Sequence, residues 1–232
     1  EQFRTISQEW HRFLGFQERQ DTLVSRVGKK RKRSLWGKAD REFQLERWKQ
    51  LRTANIYRGL AKLLGPDKQF RGKQEAAIKA IMSGQSPVIA IMGTGCGKSV
   101  LFMLPAILAP GGVTIVVTPL VSLQGNMQER CDKARITSVK WTSQNPHATA
   151  SIVFVTPESA MTKGFADFIA RKQEMHQLDR IVFDEGHTIL DGTPQFRPKL
   201  RQLGELTLRG AQVVYLTATL PPRDEDEFYQ LT

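Results

Sequence analysis

Cysteine is nearly missing from this chain: Cys96 and Cys131 are the only two, beside four histidines, and no pair of these residues has metal-ligand spacing. That excludes a disulfide framework, indicates no zinc site, and suits a reducing interior compartment. Long apolar runs are also missing. None approaches the roughly eighteen residues of a bilayer span, and no signal-peptide pattern opens the chain, so no membrane partner is expected. The chain starts on Glu1 rather than Met, which reads as a piece of something longer. Its 232 residues fit one α/β domain with an appendage, and a hydrophobic content of 40% is enough for a core.

Acidic residues are in the minority, and unevenly so. The formal net charge is +11, of which residues 1–65 carry +9 and residues 66–232 only +2. The basic character therefore belongs to an N-terminal segment, and such asymmetry points to nucleic acid as a partner. Phe3, Ile6, Trp10, Phe13 and Leu14 have the spacing of an amphipathic helix, and GKKRKR at 28–33 is a basic run suited to a nuclear address or a phosphate-binding arm. Residues 38–64 read as one or two helices, with Phe43, Trp48, Leu51, Tyr57, Leu60, Leu63 and Leu64 marking apolar faces before Gly65-Pro66 stops the pattern. A further helix is expected from about Lys73, burying Ala76, Ala77, Ile78 and Ile81.

From residue 88 onward, short β-branched runs alternate with helical stretches. Val88–Ile91 is a buried strand, followed by Met92, Gly93, Thr94, Gly95, Cys96, Gly97, Lys98 and Ser99, and then an apolar helix. Glycines let a backbone turn several N–H groups inward and approach phosphates closely, and the next helix adds its own unpaired N–H groups and positive dipole end. Lys98 is then placed for the β/γ-phosphates and Ser99 for Mg²⁺. The general pattern asks for Gly where Met92 stands.

Further strands are expected at 114–117, 136–141, 151–155, 181–183 and 213–216. The strand ending in Phe183 delivers Asp184 and Glu185, a carboxylate to hold Mg²⁺ and a neighbour to orient and deprotonate an attacking water. Thr118-Pro119, Thr156-Pro157 and Thr217-Ala218-Thr219 end other strands, at the edge where parallel sheets bind ligands. Upstream, Arg71 can stack on an adenine ring and Gln74 can bond its edge. The alternation gives an α/β fold with a parallel, doubly wound sheet.

Taken together, the motifs over 70–222 resemble the first RecA-like lobe of a superfamily 2 helicase, and in particular the RecQ family. Phe70-Arg71…Gln74 is similar to that family's adenine motif. Met92 through Ser99 resembles its phosphate loop, where a leading Met is usual. Thr118 through Gln124 and Thr156 through Glu158 look like the motifs that touch single-stranded backbone. Asp184-Glu185-Gly186-His187 resembles the DEAH-type box, Thr217 and Thr219 its coupling motif, and Phe196-Arg197-Pro198 the segment expected downstream of that box. The runs GKSVLFMLPA and LTATLPP look closest to RecQ-like helicases of fungal subtelomeres. Gly186 replaces the usual Ala or Cys, and the loop from His187 to Phe196 lacks the family's Trp, with Gly192 in its place.

The resemblance implies a P-loop ATPase lobe at 66–232 and does not cover residues 1–65, which read from their charge and apolar spacing as a basic all-helical segment. It further implies a nuclear, ATP- and Mg²⁺-dependent DNA helicase that moves 3′ to 5′ on single-stranded DNA and unwinds duplex. Lys98, Asp184 and Glu185 would be its catalytic residues, and Gln124, His187 and Arg197 would join the threonines in coupling to DNA. It implies a second RecA-like lobe beyond Thr232, and slow hydrolysis by this lobe alone. Two other readings stay open on the residues: an RNA-remodelling helicase, and a nucleic-acid-binding module with a degenerate motor.

Overall fold

In the computed structural model, residues 35–119, 121–185 and 211–219 are described, with side chains from Ala39 onward and excepting 121–123. The amphipathic segment at 1–20, the basic run at 28–33, and Gly186, His187, Gly192, Phe196, Arg197 and Pro198 lie outside them. The elements are α1 (Leu35–Thr53), α2 (Ile56–Leu64), α3 (Gln74–Met82), β1 (Val88–Ile91), α4 (Val100–Leu108), β2 (Val113–Val117) and α5 (Val121–Lys133). They continue with β3 (Ser138–Lys140), β4 (Ile152–Val155), α6 (Pro157–Ala160), α7 (Lys163–Glu174), β5 (Leu178–Asp184) and β6 (Gln212–Thr217).

The six strands form one sheet in the order β1-β6-β5-β2-β4-β3, and every pairing is parallel. Strands of such a sheet are covered on both faces, which is why β2, β4 and β5 are buried at every position. Alternate residues feed two cores. Val116, Phe154, Val182, Val214 and Leu216 join α2, α3 and α4 on one face. Ile115, Val153, Ile181, Phe183 and Tyr215 join Phe165, Phe168 and Ile169 of α7 on the other. With all strands parallel, the residues following β1, β2, β4, β5 and β6 emerge along one edge.

The helical stretch over 38–64 is two helices, broken at Asn55, whose side chain accepts from the Arg58 amide at 2.9 Å. Leu51, Ile56 and Leu60 enter the same core as α3 and α4, and the compact unit that holds the sheet begins at Trp36. α1 is tied to the start of β5 by Arg47, which is buried and donates to Asp179 Oδ1 at 2.7 Å and to the His176 carbonyl at 3.0 Å. Of the apolar positions expected to pack, Phe43, Tyr57 and Leu64 are instead exposed. In α3, Ala76 is exposed and Ala77 only half-buried, and the inward side is Gln74, Ile78, Ile81 and Met82. The phase is set by Gln74, which turns inward for a polar reason that apolar periodicity does not register.

Candidate active site

Met92 through Ser99 leave β1 and wrap to the start of α4. The turn begins in the sheet, where the Met92 amide donates to the Thr217 carbonyl at 2.8 Å, and closes with the Cys96 amide on the Gly93 carbonyl at 3.2 Å. Gly95 and Gly97 have φ of +79° and +73°, a region that costs an L side chain about 1–2 kcal/mol. Among the described residues, no backbone carbonyl accepts from the amides of Thr94, Gly95, Gly97, Lys98 or Ser99. A half-exposed loop presenting unclaimed N–H groups at a helix N-terminus fits a polyphosphate.

Lys98 lies inside that loop. Its ammonium donates to the Met92 carbonyl at 3.3 Å and sits 3.3 Å from Glu185 Oε1, with both side chains largely covered. Glu185 follows the last residue of β5 and has φ of +54°, a sparsely populated region for a residue with a side chain. That turn takes it out of the strand direction and brings its carboxylate to Lys98. Asp184, buried at the end of β5, is in register with Leu216 of β6. Because β6 runs between β1 and β5, Thr217 stands between the phosphate loop and the Asp184-Glu185 turn. Its hydroxyl donates to the Thr219 carbonyl at 2.7 Å, linking the two threonines of the expected coupling motif.

Gln74 braces the loop. Its Oε1 accepts from the Arg71 amide at 2.8 Å, and its Nε2 donates to the carbonyls of Cys96 at 2.7 Å and Gly97 at 3.2 Å. The side chain is 3% exposed, so these bonds form out of water. Both amide hydrogens are thereby spent on the loop. Arg71 is exposed at the entrance to α3.

Ser99 is at the N-cap of α4, and its hydroxyl makes no cap bond to the helix. It accepts instead from Arg130 Nη1 on α5, at 3.4 Å. A hydroxyl and a buried carboxylate form a hard oxygen set that suits Mg²⁺, so Ser99 and Asp184 fit that ion. No cluster of three or more His, Cys, Asp or Glu suited to a metal occurs among the described residues.

On the side expected to meet DNA, Thr118 and Gln124 are buried, and Thr118 Oγ1 and Gln124 Nε2 have no hydrogen-bond partner among the described residues. Thr156 is half-buried and caps α6, its Oγ1 accepting from the Ser159 amide at 3.3 Å. The structure thus brings together Gln74, residues 92–99, Asp184, Glu185, Thr217 and Thr219, and sets Thr118 and Thr156 just past the ends of the neighbouring strands β2 and β4, with Gln124 in the first turn of α5. Sequence reasoning missed Arg130, since nothing in the sequence distinguishes it from Lys133, the other basic residue of α5. It also missed Tyr57, whose hydroxyl donates to Glu75 Oε1 at 2.6 Å. Lys79 and Tyr57, bonded to the Glu75 carboxylate, hold its pKa below the ordinary carboxylate value, and Glu75 raises that of Tyr57.

Comparison with known proteins gives the arrangement its context. Residues 71–228 match the DEAD/DEAH box helicase family. The chain is 31% identical over 189 residues to the ATP-dependent DNA helicase Q5 of Rattus norvegicus, covering 73% of this chain and 19% of that protein. It is 33% identical over 172 residues to the ATP-dependent DNA helicase hus2/rqh1 of Schizosaccharomyces pombe, covering 66% of this chain and 13% of that protein. It is also 31% identical over 169 residues to the ATP-dependent DNA helicase RecQ of Haemophilus influenzae, covering 66% and 26%. The chain therefore spans about a fifth of the rat relative and about a quarter of the bacterial one. Among solved structures, the SWI2/SNF2 ATPase core of Sulfolobus solfataricus in complex with dsDNA superposes with a TM-score of 0.50 at 13% identity, over 71% of this chain and 35% of that one. That likeness concerns the fold, an α/β lobe on a parallel sheet.

Proposed function

Since this chain belongs to the DEAD/DEAH box helicase family, we propose that it is the nucleotide-binding lobe of an ATP-dependent DNA helicase of RecQ type. The observation that carries this reading is the Lys98 ammonium, 3.3 Å from both the Met92 carbonyl and the Glu185 carboxylate within a loop of unclaimed amides. The Glu185 carboxylate stands against Lys98 where the negative charge of a triphosphate would come. When phosphate enters, Lys98 moves its hydrogen bonds to the β/γ-oxygens, and Glu185 is released to orient and deprotonate water. Gln74 keeps the loop open in the shape the phosphates need. Ser99 and Asp184 would hold Mg²⁺, which supplies positive charge against the triphosphate oxygens.

The reading extends to DNA. Thr118 and Thr156 follow strand ends on the same edge as the nucleotide site, and Gln124 lies in the first turn of α5. Thr156 holds its turn by capping α6, Thr118 and Gln124 bring buried hydrogen-bonding groups that no described residue takes, and Thr217 and Thr219 pass the state of the phosphate site along that edge. His187 and Arg197 are assigned to the same coupling from sequence. The basic segment 1–65 adds phosphate contacts to a motor at 66–232, the work takes place in the nucleus on single-stranded and duplex DNA, and movement is 3′ to 5′. The subtelomeric RecQ-like helicases of fungi are the subgroup its sequence runs resemble. The second lobe, with its arginine finger worth about 10³–10⁵ in rate, belongs to the full-length protein.

The test is ATP hydrolysis by the full-length protein with and without single-stranded DNA. Stimulation by DNA is expected, lost in Lys98→Ala, with Glu185→Gln retaining nucleotide binding but not turnover. Turnover indifferent to DNA, or stimulated equally in both variants, contradicts the reading.

A further inference from the structure

Ser99 stands at the N-cap of α4, where a serine hydroxyl ordinarily accepts from the first amides of its own helix. It makes no such bond and is turned to α5 instead, accepting from Arg130 Nη1 at 3.4 Å. Both ends of this contact stand on fixed backbone. Val100 and Leu101, the next two residues of α4, are buried. Cys131, next to Arg130, is buried too, and Met127, one turn earlier, packs against the same core. The Arg130 side chain itself is exposed and has no carboxylate partner among the described residues. Its neighbour Glu129 is taken by Lys133 at 2.8 Å. The guanidinium is thus spent on the hydroxyl assigned to the metal.

A hydroxyl has one proton and two lone pairs on a single small oxygen. Mg²⁺ would draw on that oxygen of Ser99, and Arg130 already donates to it. A guanidinium and a divalent cation sharing one oxygen repel at close range, and water screens them only in part. The two are therefore alternatives for Ser99. Because Arg130 is exposed, it can leave the hydroxyl for water at little cost, which suits a contact that is made and broken. We propose that Arg130 is a positioning residue of the Mg²⁺ subsite, holding the Ser99 hydroxyl in competition with the ion and lending its own charge to a triphosphate that arrives without metal. This rests on the nucleotide-binding reading above and names the side chain that sets its metal dependence.

The experiment measures ATP affinity by calorimetry in the full-length protein, once in EDTA and once in saturating Mg²⁺, for wild type, Arg130→Ala, Arg130→Glu and Lys98→Ala. The quantity read is the ratio of the affinity with metal to the affinity without. Arg130→Ala should weaken ATP in EDTA and leave it at least as tight as wild type in Mg²⁺, raising the ratio roughly 3- to 10-fold. Arg130→Glu, which reverses the charge, should raise it further. A merely structural role for Arg130 would weaken binding alike in both conditions and leave the ratio where it was. A ratio that stays at the wild-type value or falls in Arg130→Ala, or an Arg130→Glu effect no larger than that of Arg130→Ala, overturns the proposal. Lys98→Ala reports on the other claim: binding unchanged there in both conditions defeats the phosphate-loop reading itself, whatever Arg130 does.

Discussion

Gly97→Ala tests how the phosphate loop is held. Gly97 has φ of +73°, so alanine costs about 1 kcal/mol in backbone strain. The new Cβ would also lie 2.7 Å from Gln74 Nε2. That atom is the end of a side chain and can move, but moving it breaks the bonds to the Cys96 and Gly97 carbonyls, each worth about 1 kcal/mol. The single substitution should therefore cost about 3 kcal/mol in stability. Gln74→Ala loses the same two bonds and the one from the Arg71 amide, again about 3 kcal/mol. In the double variant the Gln74 bonds are lost only once, so the total should be about 4 kcal/mol rather than about 6, a coupling of about 2 kcal/mol. Urea denaturation of the four proteins measures it. A double-variant cost near the additive value refutes the idea that Gln74 is the contact through which Gly97→Ala acts, and so does a Gly97→Ala cost no larger than the backbone strain.

Arg47→Ala should cost about 3–5 kcal/mol in urea denaturation, because it leaves the Asp179 carboxylate buried without its partner, and the double replacement Arg47→Met with Asp179→Leu should cost less. N-ethylmaleimide should label Cys96, which is exposed, and ATP with Mg²⁺ should protect it. Cys131 is buried with its thiol pushed up to about 11 and should label only on unfolding, as peptide mass mapping would read out. Burial raises the Tyr215 phenol from 10.0 to about 12, so the folded state holds its proton longer than the unfolded chain does. Its contribution is complete below pH 10 and is lost between pH 10 and 12, falling by roughly 1.4 kcal/mol per pH unit. Tyr215→Phe should remove that part of the alkaline slope in denaturation measured across the same range, and an unchanged slope contradicts the assignment.

The strands and the phosphate loop were legible because their signals are local. Buried parallel strands read as unbroken β-branched runs, and the loop is marked by glycines between one such run and an apolar helix. Asp184 and Glu185 were legible for the same reason, as two carboxylates at a strand end. The contacts that hold the site were not, because they join residues far apart in the chain. Gln74 reaches Cys96, 22 residues on, and Arg47 reaches Asp179, 132 residues on. No periodicity carries that information. The apolar periodicity of α3 even pointed the wrong way at Ala76, since a polar residue sets its phase. The excess of basic residues over 1–65 obscured how much of α1 and α2 is core, and charge counting cannot separate Arg47, which is buried, from its exposed neighbours.

The measurement that bears most directly on the central claim is the equilibrium binding of ATP with Mg²⁺ to this chain by calorimetry, in wild type and Lys98→Ala. The account predicts one site in the wild type, and heats indistinguishable from dilution in Lys98→Ala at the same concentrations. Equal binding by the two proteins would mean that the loop from Met92 to Ser99 is not where the nucleotide sits, and the account would be wrong.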